Sequence, residues 1–181
     1  GPPSGVIWRD ILKIHQQMFS ANYGLGATHS NGSPWWAWPF SWRPIYYYAR
    51  HKTAHYLVGN PVVWWGSTLG ILAVLVQVFR QGWINARSEP YALMLIPFAI
   101  SYLPYSLIPR VLFLYHYLPS LVFAVMAVVL WIDRSGRLAV GNRAYIGLLV
   151  LIPTGFLLIS PFTFGFPLPE AVLTWMRDLV H

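Results

Sequence analysis

Between Ser4 and Tyr23, apolar side chains recur at Ile7, Ile11, Ile14 and Met18, with Trp8, Leu12 and Phe19 on the adjoining row. This is the spacing of one face of an α-helix. The opposite face carries Arg9, Asp10, Lys13, Gln16 and Gln17. It is too polar to cross hydrocarbon, so the pattern predicts an amphipathic helix along a membrane interface, with Ser4 as its N-cap. Further along, the apolar pattern runs all round, in blocks over residues 61–79, 91–109, 111–132 and 144–161. Each is near the roughly 20 residues that a helix needs to span a bilayer core of about 30 Å, so four transmembrane helices are expected. The second block holds Pro97, Pro104 and Pro109 with Ser101, Tyr102, Tyr105 and Ser106, which predicts a kinked span lining a cavity. After Pro167 and Pro169, a short amphipathic stretch, Glu170–Val180, is expected to return to the interface.

Residues 24–48 follow neither pattern. They are rich in Gly, Ser, Pro and Trp, and contain Pro34-Trp-Trp-Ala-Trp-Pro39 and Tyr46-Tyr-Tyr48. Pro34, Pro39 and Pro44 forbid a continuous helix. Indole and phenol groups suit the headgroup layer, where an apolar ring and a polar tip are both satisfied. Two readings stay open: an aromatic belt, or a groove for a sugar or an extended peptide. The expected organisation is an all-α integral membrane protein in three parts. Residues 1–60 form the interfacial helix and external aromatic segment, 61–161 the four-helix region, and 162–181 an external tail. Gly1-Pro2 resembles a scar left by tag removal, and the opening reads as a preamble to membrane helices within a longer protein.

Composition strengthens the membrane reading: of 181 residues, 56% are hydrophobic, 17% aromatic and 9% charged, against about a quarter charged in soluble domains. The net charge of +7 comes from twelve Lys and Arg residues scattered singly among aromatics. Nucleic acid is therefore excluded as a partner, and anionic lipid fits better. There is no cysteine, hence no disulfide, thiolate nucleophile or Cys-ligated metal, and the redox compartment cannot be read. An even number of spans puts both termini on one face. Arg80, Arg87, Arg134, Arg137 and Arg143 crowd the two short connections, which are assigned to the cytoplasmic side, with both termini external. Arg9, Lys13, Arg43, Arg50, Lys52, Arg110 and Arg177 oppose that assignment by number, but not by density near the spans.

The only acids are Asp10, Glu89, Asp133, Glu170 and Asp178, all outside the expected spans. None form the paired spacing of a general acid and base, and no nucleophile elbow, P-loop, dinucleotide fingerprint or zincin motif is present. His15, His29, His51, His55, His116 and His181 lack an accompanying acid, and no metal site is expected. The sharper chemistry lies in Arg110-Val-Leu-Phe-Leu-Tyr-His-Tyr-Leu-Pro119 at the head of the third span. A charged or titratable group there needs a partner, a polar cavity or an anion. If the helix begins near Arg110, Leu114, Tyr117 and Leu118 share its face and His116 lies farther round. The guanidinium fork suits a lipid-linked phosphate. The alternative is that Arg110 snorkels to headgroups while His116 and the tyrosines bond across helices.

Several stretches, in order, carry a resemblance. They are His15-x-x-Met18, Leu25 with Thr28-His29, Ser33-Pro34-Trp35, Trp38-Pro39 and Arg43-Pro44 followed by the tyrosines. Next come Gly59-Asn60-Pro61 with Trp64-Trp65, then Phe113-x-Tyr115-His116-Tyr117-Leu118-Pro119 after Arg110. Over nearly its full length the chain resembles the C-terminal four-span region of the protein O-mannosyltransferases. It departs from the pattern at Asn22, where a histidine is expected, and at Ser30-Asn-Gly32.

The resemblance implies a polytopic GT-C glycosyltransferase that moves mannose from polyprenyl (dolichyl) phosphate mannose to Ser or Thr of a protein acceptor, with inversion. It implies no metal or other cofactor. The family's catalytic acids lie in an external loop of the N-terminal half, so no residue here inherits the role of base, and a catalytic half or another chain is an expected partner. The expected location is a plasma membrane or the endoplasmic reticulum. Lipid-phosphate binding is expected at Arg110, His116 and Tyr117, and contact with sugar or acceptor at His29, Trp35, Trp38 and Arg43. The rival reading is a non-catalytic membrane module that docks onto a partner through its aromatic segment. A transporter fragment is weaker still, for want of an inverted repeat.

Overall fold

The structure is a computed structural model and describes residues 4–23, 29–50, 53–136 and 139–180. Gly1-Pro2, Leu25, Thr28, His51, Lys52, Arg137 and His181 therefore lie outside the described residues, as do the side chains of Ser4, Asn22, Arg50 and Arg177. Helix α1 spans Ser4–Tyr23, and each of its side chains described is exposed. A 3-10 helix over Trp35–Phe40 then leads into strands β1 (Ile45–Arg50) and β2 (Thr53–Leu57). The membrane helices begin with α2 (Pro61–Gln81) and continue through the short α3 (Trp83–Ala86), α4 (Pro90–Leu93) and α5 (Leu95–Tyr102). Two 3-10 turns, Leu103–Leu107 and Leu114–Tyr117, precede α6 (Leu118–Arg134), α7 (Arg143–Phe164) and α8 (Glu170–Val180).

Four segments are long and apolar enough to cross a membrane: Pro61–Gln81, Pro90–Leu107, Leu114–Arg134 and Arg143–Phe164. The second is broken, as the prolines require. Pro97 and Pro104 each remove a helical N–H and crowd the carbonyl four residues back, and the segment divides into α4, α5 and a 3-10 turn. Two expectations need correction. The third span starts at Leu114, so Arg110 stands in the preceding loop. The helical-face argument linking it to Tyr117 does not apply. The segment before the spans also contains a β-hairpin, which places His55 on a strand. Ile45 pairs with Leu57 and Tyr46 with Tyr56, after which the register shifts between Tyr46 and Tyr48. This bulge at Tyr47 breaks the alternation that would have marked a strand in the sequence.

Helix α6 is central and packs against α2, α4 and α5. Its Ala124 and Ala127 are fully buried beside Ile71, Val74 and Val78 of α2 and Tyr91, Ala92 and Leu95 of the second span. Close approach is set by Gly70, where an added Cβ would lie 2.3 Å from Val128. Small residues do this work in membranes because lipid tails are as apolar as leucine, leaving tight packing to join helices. Helix α7 is more peripheral, touching α2 and β2 and burying only Gly155. Asn60 ties it in: Oδ1 caps α2 by accepting from Val62 N–H at 3.0 Å, while Nδ2 donates to the Ile152 carbonyl at 2.9 Å. At the far end, Arg134 pairs with Glu89 at 3.1 Å.

Candidate functional site

The aromatic segment before the spans folds onto the head of the third span. Ser33 N–H donates to the Leu112 carbonyl at 2.8 Å, and Gly32 lies so near Val111 that a Cβ would come within 2.6 Å of it. The carbonyls at the end of the 3-10 helix Trp35–Phe40 take side-chain donors from α2, the Trp38 carbonyl in addition to the Ser41 N–H at 2.9 Å. Trp64 Nε1 donates to Trp38 O at 2.6 Å, Thr68 Oγ1 to Pro39 O at 2.6 Å and Trp65 Nε1 to Phe40 O at 2.9 Å. Three consecutive carbonyls are thus held by one helix face. The turn ends at Ser41, which adopts the left-handed conformation (φ 51°).

This anchoring drives Trp38 into an aromatic cluster with Trp64, Tyr102, Leu114, Tyr117 and Leu121. Its Nε1 donates to Ser33 Oγ at 2.9 Å, and its ring stacks on His116 at 5.9 Å and 11°. Tyr105 is T-shaped to both Trp38 and His116, at 5.1 and 5.3 Å. His116 also stacks on Tyr115 at 4.5 Å. Phe113 lies nearly parallel to the His116 ring at 6.2 Å. The imidazole is half-buried, with Nδ1 3.2 Å from Phe113 N and 2.9 Å from Phe113 O.

The remaining candidates divide by burial. His29 is exposed and meets Phe113 edge-on at 5.4 Å, and its Nδ1 accepts from Asn31 N–H at 3.1 Å. Arg43 is exposed, with Nη1 donating to the Gly32 carbonyl at 3.4 Å. Trp35 is half-buried, its carbonyl accepting from Tyr102 OH at 3.0 Å. Arg110 is half-buried in the loop. Trp38 and Tyr117, by contrast, are 0% and 1% exposed. Tyr117 packs against Trp64 and Tyr102, so these two rings form the wall and leave the open side to others. The structure therefore joins His29, Trp38 and His116 through rings, brings Arg43 to the same loop as His29, and places Arg110 six residues before His116 in the chain.

Sequence reasoning overlooked Ser33, Phe113, Trp64 and Thr68. Ser33, Trp64 and Phe113 belong to motifs that carry the resemblance, whereas nothing local marks Thr68, whose partner is the distant Pro39 carbonyl. Among the described residues, no three His, Asp or Glu side chains come together as a metal site. Glu89 and Asp133 stand at the opposite ends of their spans from the aromatic cluster.

Four apolar helices with an aromatic cap, carrying arginine and imidazole at one end, define a multi-pass membrane protein. The chain belongs to the protein O-mannosyltransferase family: the family described as the C-terminal four TMM region of protein-O-mannosyltransferase matches residues 7–179. It is 34% identical to dolichyl-phosphate-mannose–protein mannosyltransferase 1 of Candida albicans over 69% of this chain and 16% of that protein. Against the Saccharomyces cerevisiae enzyme of the same name it is 29% identical over 93% of the chain and 22% of that protein. With the polyprenol-phosphate-mannose–protein mannosyltransferase of Corynebacterium glutamicum it shares 26% over 90% of the chain and 33% of that protein. The fold is similar to a chain of the S. cerevisiae protein O-mannosyltransferase Pmt1-Pmt2 complex bound to the sugar donor, with TM-score 0.72 and 26% identity. That match covers 98% of this chain and 26% of the other. The chain thus spans between a sixth and a third of these curated relatives.

Proposed function

We propose that this chain is the carrier-binding and structural part of a polyprenyl-phosphate-mannose–protein mannosyltransferase, holding the lipid phosphate at the external membrane face while a catalytic part elsewhere acts on the sugar. The observation that carries this reading is the half-buried His116, fixed in an aromatic stack on the segment that also carries Arg110. An inverting transfer needs a base at the acceptor hydroxyl and stabilisation of the departing phosphate. Among the described residues, Glu89 and Asp133 lie at the far ends of their spans from the cluster and cannot serve it as base. Arg110 can offer a bidentate guanidinium and His116 a ring N–H to phosphate oxygens. His29, Trp35 and Arg43 border the same loop and serve the sugar or the acceptor, with Trp38 and Tyr117 as supporting wall. The relatives' names, which specify dolichyl or polyprenol phosphate mannose, support the donor class. In this reading the arginine-rich connections are cytoplasmic and the aromatic cap faces the lumen or the exterior.

The test is binding of polyprenyl-phosphate-mannose to the chain in nanodiscs, against neutral polyprenol and against Arg110→Ala. Saturable binding that requires the phosphate is expected, weakened in the variant by about 1.5–3 kcal/mol, the scale of a charged hydrogen bond. Equal affinity of the folded variant removes Arg110 from the site. Indifference to the phosphate favours the second reading, a module that docks onto a partner chain. The exposure of Trp36, Phe40, Trp42 and Tyr47 in the aromatic segment suits that reading.

A further inference from the structure

We infer that Trp38 is a positioning residue for His116, holding the imidazole so that a ring N–H on Nε2 points out of the aromatic stack toward the lipid phosphate. The inference rests on the carrier-binding reading and assigns the donor atom within it. His116 Nδ1 lies 3.2 Å from the backbone nitrogen of Phe113 and 2.9 Å from its carbonyl oxygen. Only one of these contacts can be a hydrogen bond for a given tautomer. The Phe113 carbonyl accepts from His116 N–H at 3.0 Å with or without a ring donor, whereas Nδ1 is the acceptor found for Phe113 N–H, as the cap of this turn. A backbone N–H at a membrane boundary must be paired, since leaving it unpaired costs about as much as a lost hydrogen bond. A proton on Nδ1 would set one N–H against another. The proton therefore sits on Nε2, with Nδ1 capping the turn.

Orientation follows from the rings. With Nδ1 turned to its own backbone, Nε2 lies on the far edge of the imidazole. Rotation about the side chain is restricted by Trp38 and Tyr115, whose rings both stack on the imidazole, at 5.9 and 4.5 Å. Trp38 is itself immobile: its Nε1 is held by Ser33 and its carbonyl by Trp64. Its indole touches no ligand and acts only through the imidazole. An N–H donor at this place bonds more strongly to the charged oxygen of a phosphate than to a neutral hydroxyl.

The experiment measures imidazole nitrogen resonances of His-labelled protein in phosphatidylcholine nanodiscs, His116 being assigned by its loss in a variant, with and without polyprenyl phosphate. Polyprenyl phosphate affinity is measured in parallel. The expected spectrum shows one protonated nitrogen, Nε2, whose resonance alone moves on adding ligand. Glutamine's amide reaches the place of Nε2 and asparagine's that of Nδ1, so His116→Gln is expected to stay within about threefold of the native affinity. His116→Asn is expected to lose about tenfold. Trp38→Phe, which keeps a ring in the stack but not the bond to Ser33, is expected to mix the two tautomers while the protein stays folded. A proton on Nδ1, an unmoved Nε2 with ligand bound, or Asn outperforming Gln would overturn the inference and leave carrier binding standing. Absence of saturable polyprenyl phosphate binding to the native chain would remove the carrier-binding reading, and the inference with it.

Discussion

Three carbonyls in a row, on Trp38, Pro39 and Phe40, take hydrogen bonds from Trp64, Thr68 and Trp65 of the first span. Each donor was visible as a residue type, but none announced its partner 25 to 29 positions away. Trp64→Phe keeps the ring and deletes one of two donors to the buried Trp38 carbonyl, which still accepts from Ser41 N–H at 2.9 Å. A loss of about 0.5–1.5 kcal/mol is expected, read as a lower unfolding midpoint in detergent. Ser33→Ala should fall in the same range, because the Ser33 carbonyl also lies within 3.2 Å of Trp38 Nε1. A loss well above that range in either variant would contradict this shared pairing. The aromatic residue types were legible in the sequence. Which rings become wall and which stay open was not, since Trp36 and Trp38 differ by 59% and 0% exposure while standing two places apart.

Among the elements, the spans were legible because all-round apolarity over about 20 residues has one stable answer in a bilayer, a helix that satisfies its own backbone. The break in the second span was also legible, since each proline removes a hydrogen bond wherever it sits. The hairpin was not: a strand needs period-2 alternation or a turn signal, and the Tyr47 bulge interrupts the first. The start of the third span was misplaced by three residues because Val111, Leu112 and Phe113 are apolar in loop and helix alike. Junctions between helices depend on small groups. Gly70→Leu must drive a side chain into Val128 and is expected to separate α2 from α6 at a cost of about 1–3 kcal/mol or more. Asn60→Ala removes both the α2 cap and the bond to α7, for about 1–2 kcal/mol. Protease accessibility of α7 in Asn60→Ala checks the second effect; unchanged protection would mean that α7 is held elsewhere.

Across the whole molecule, charge separates the two ends. The arginine-rich connections carry the exposed Glu89–Arg134 pair, for which Arg134→Ala should change stability by less than about 1 kcal/mol. The opposite end holds the aromatic cap and His116. Because the chain has no cysteine, single substitutions report orientation cleanly. Ser135→Cys is expected to resist a membrane-impermeant thiol reagent added outside, and Asn31→Cys to react; the reverse labelling would invert the assigned topology. Membrane residence, the number of spans, the broken second helix and the family resemblance were determined by the sequence alone. Each rests on a local property: hydropathy over a bilayer's thickness, the missing N–H of proline, or motifs in order. Only the tertiary structure decided that Arg110 leaves the helix, that Tyr117 and Trp38 turn inward, and that His116 stacks on Trp38. Those outcomes arise where residues far apart in the chain compete for the same buried volume and the same hydrogen bonds, and no stretch of sequence contains both sides of that competition.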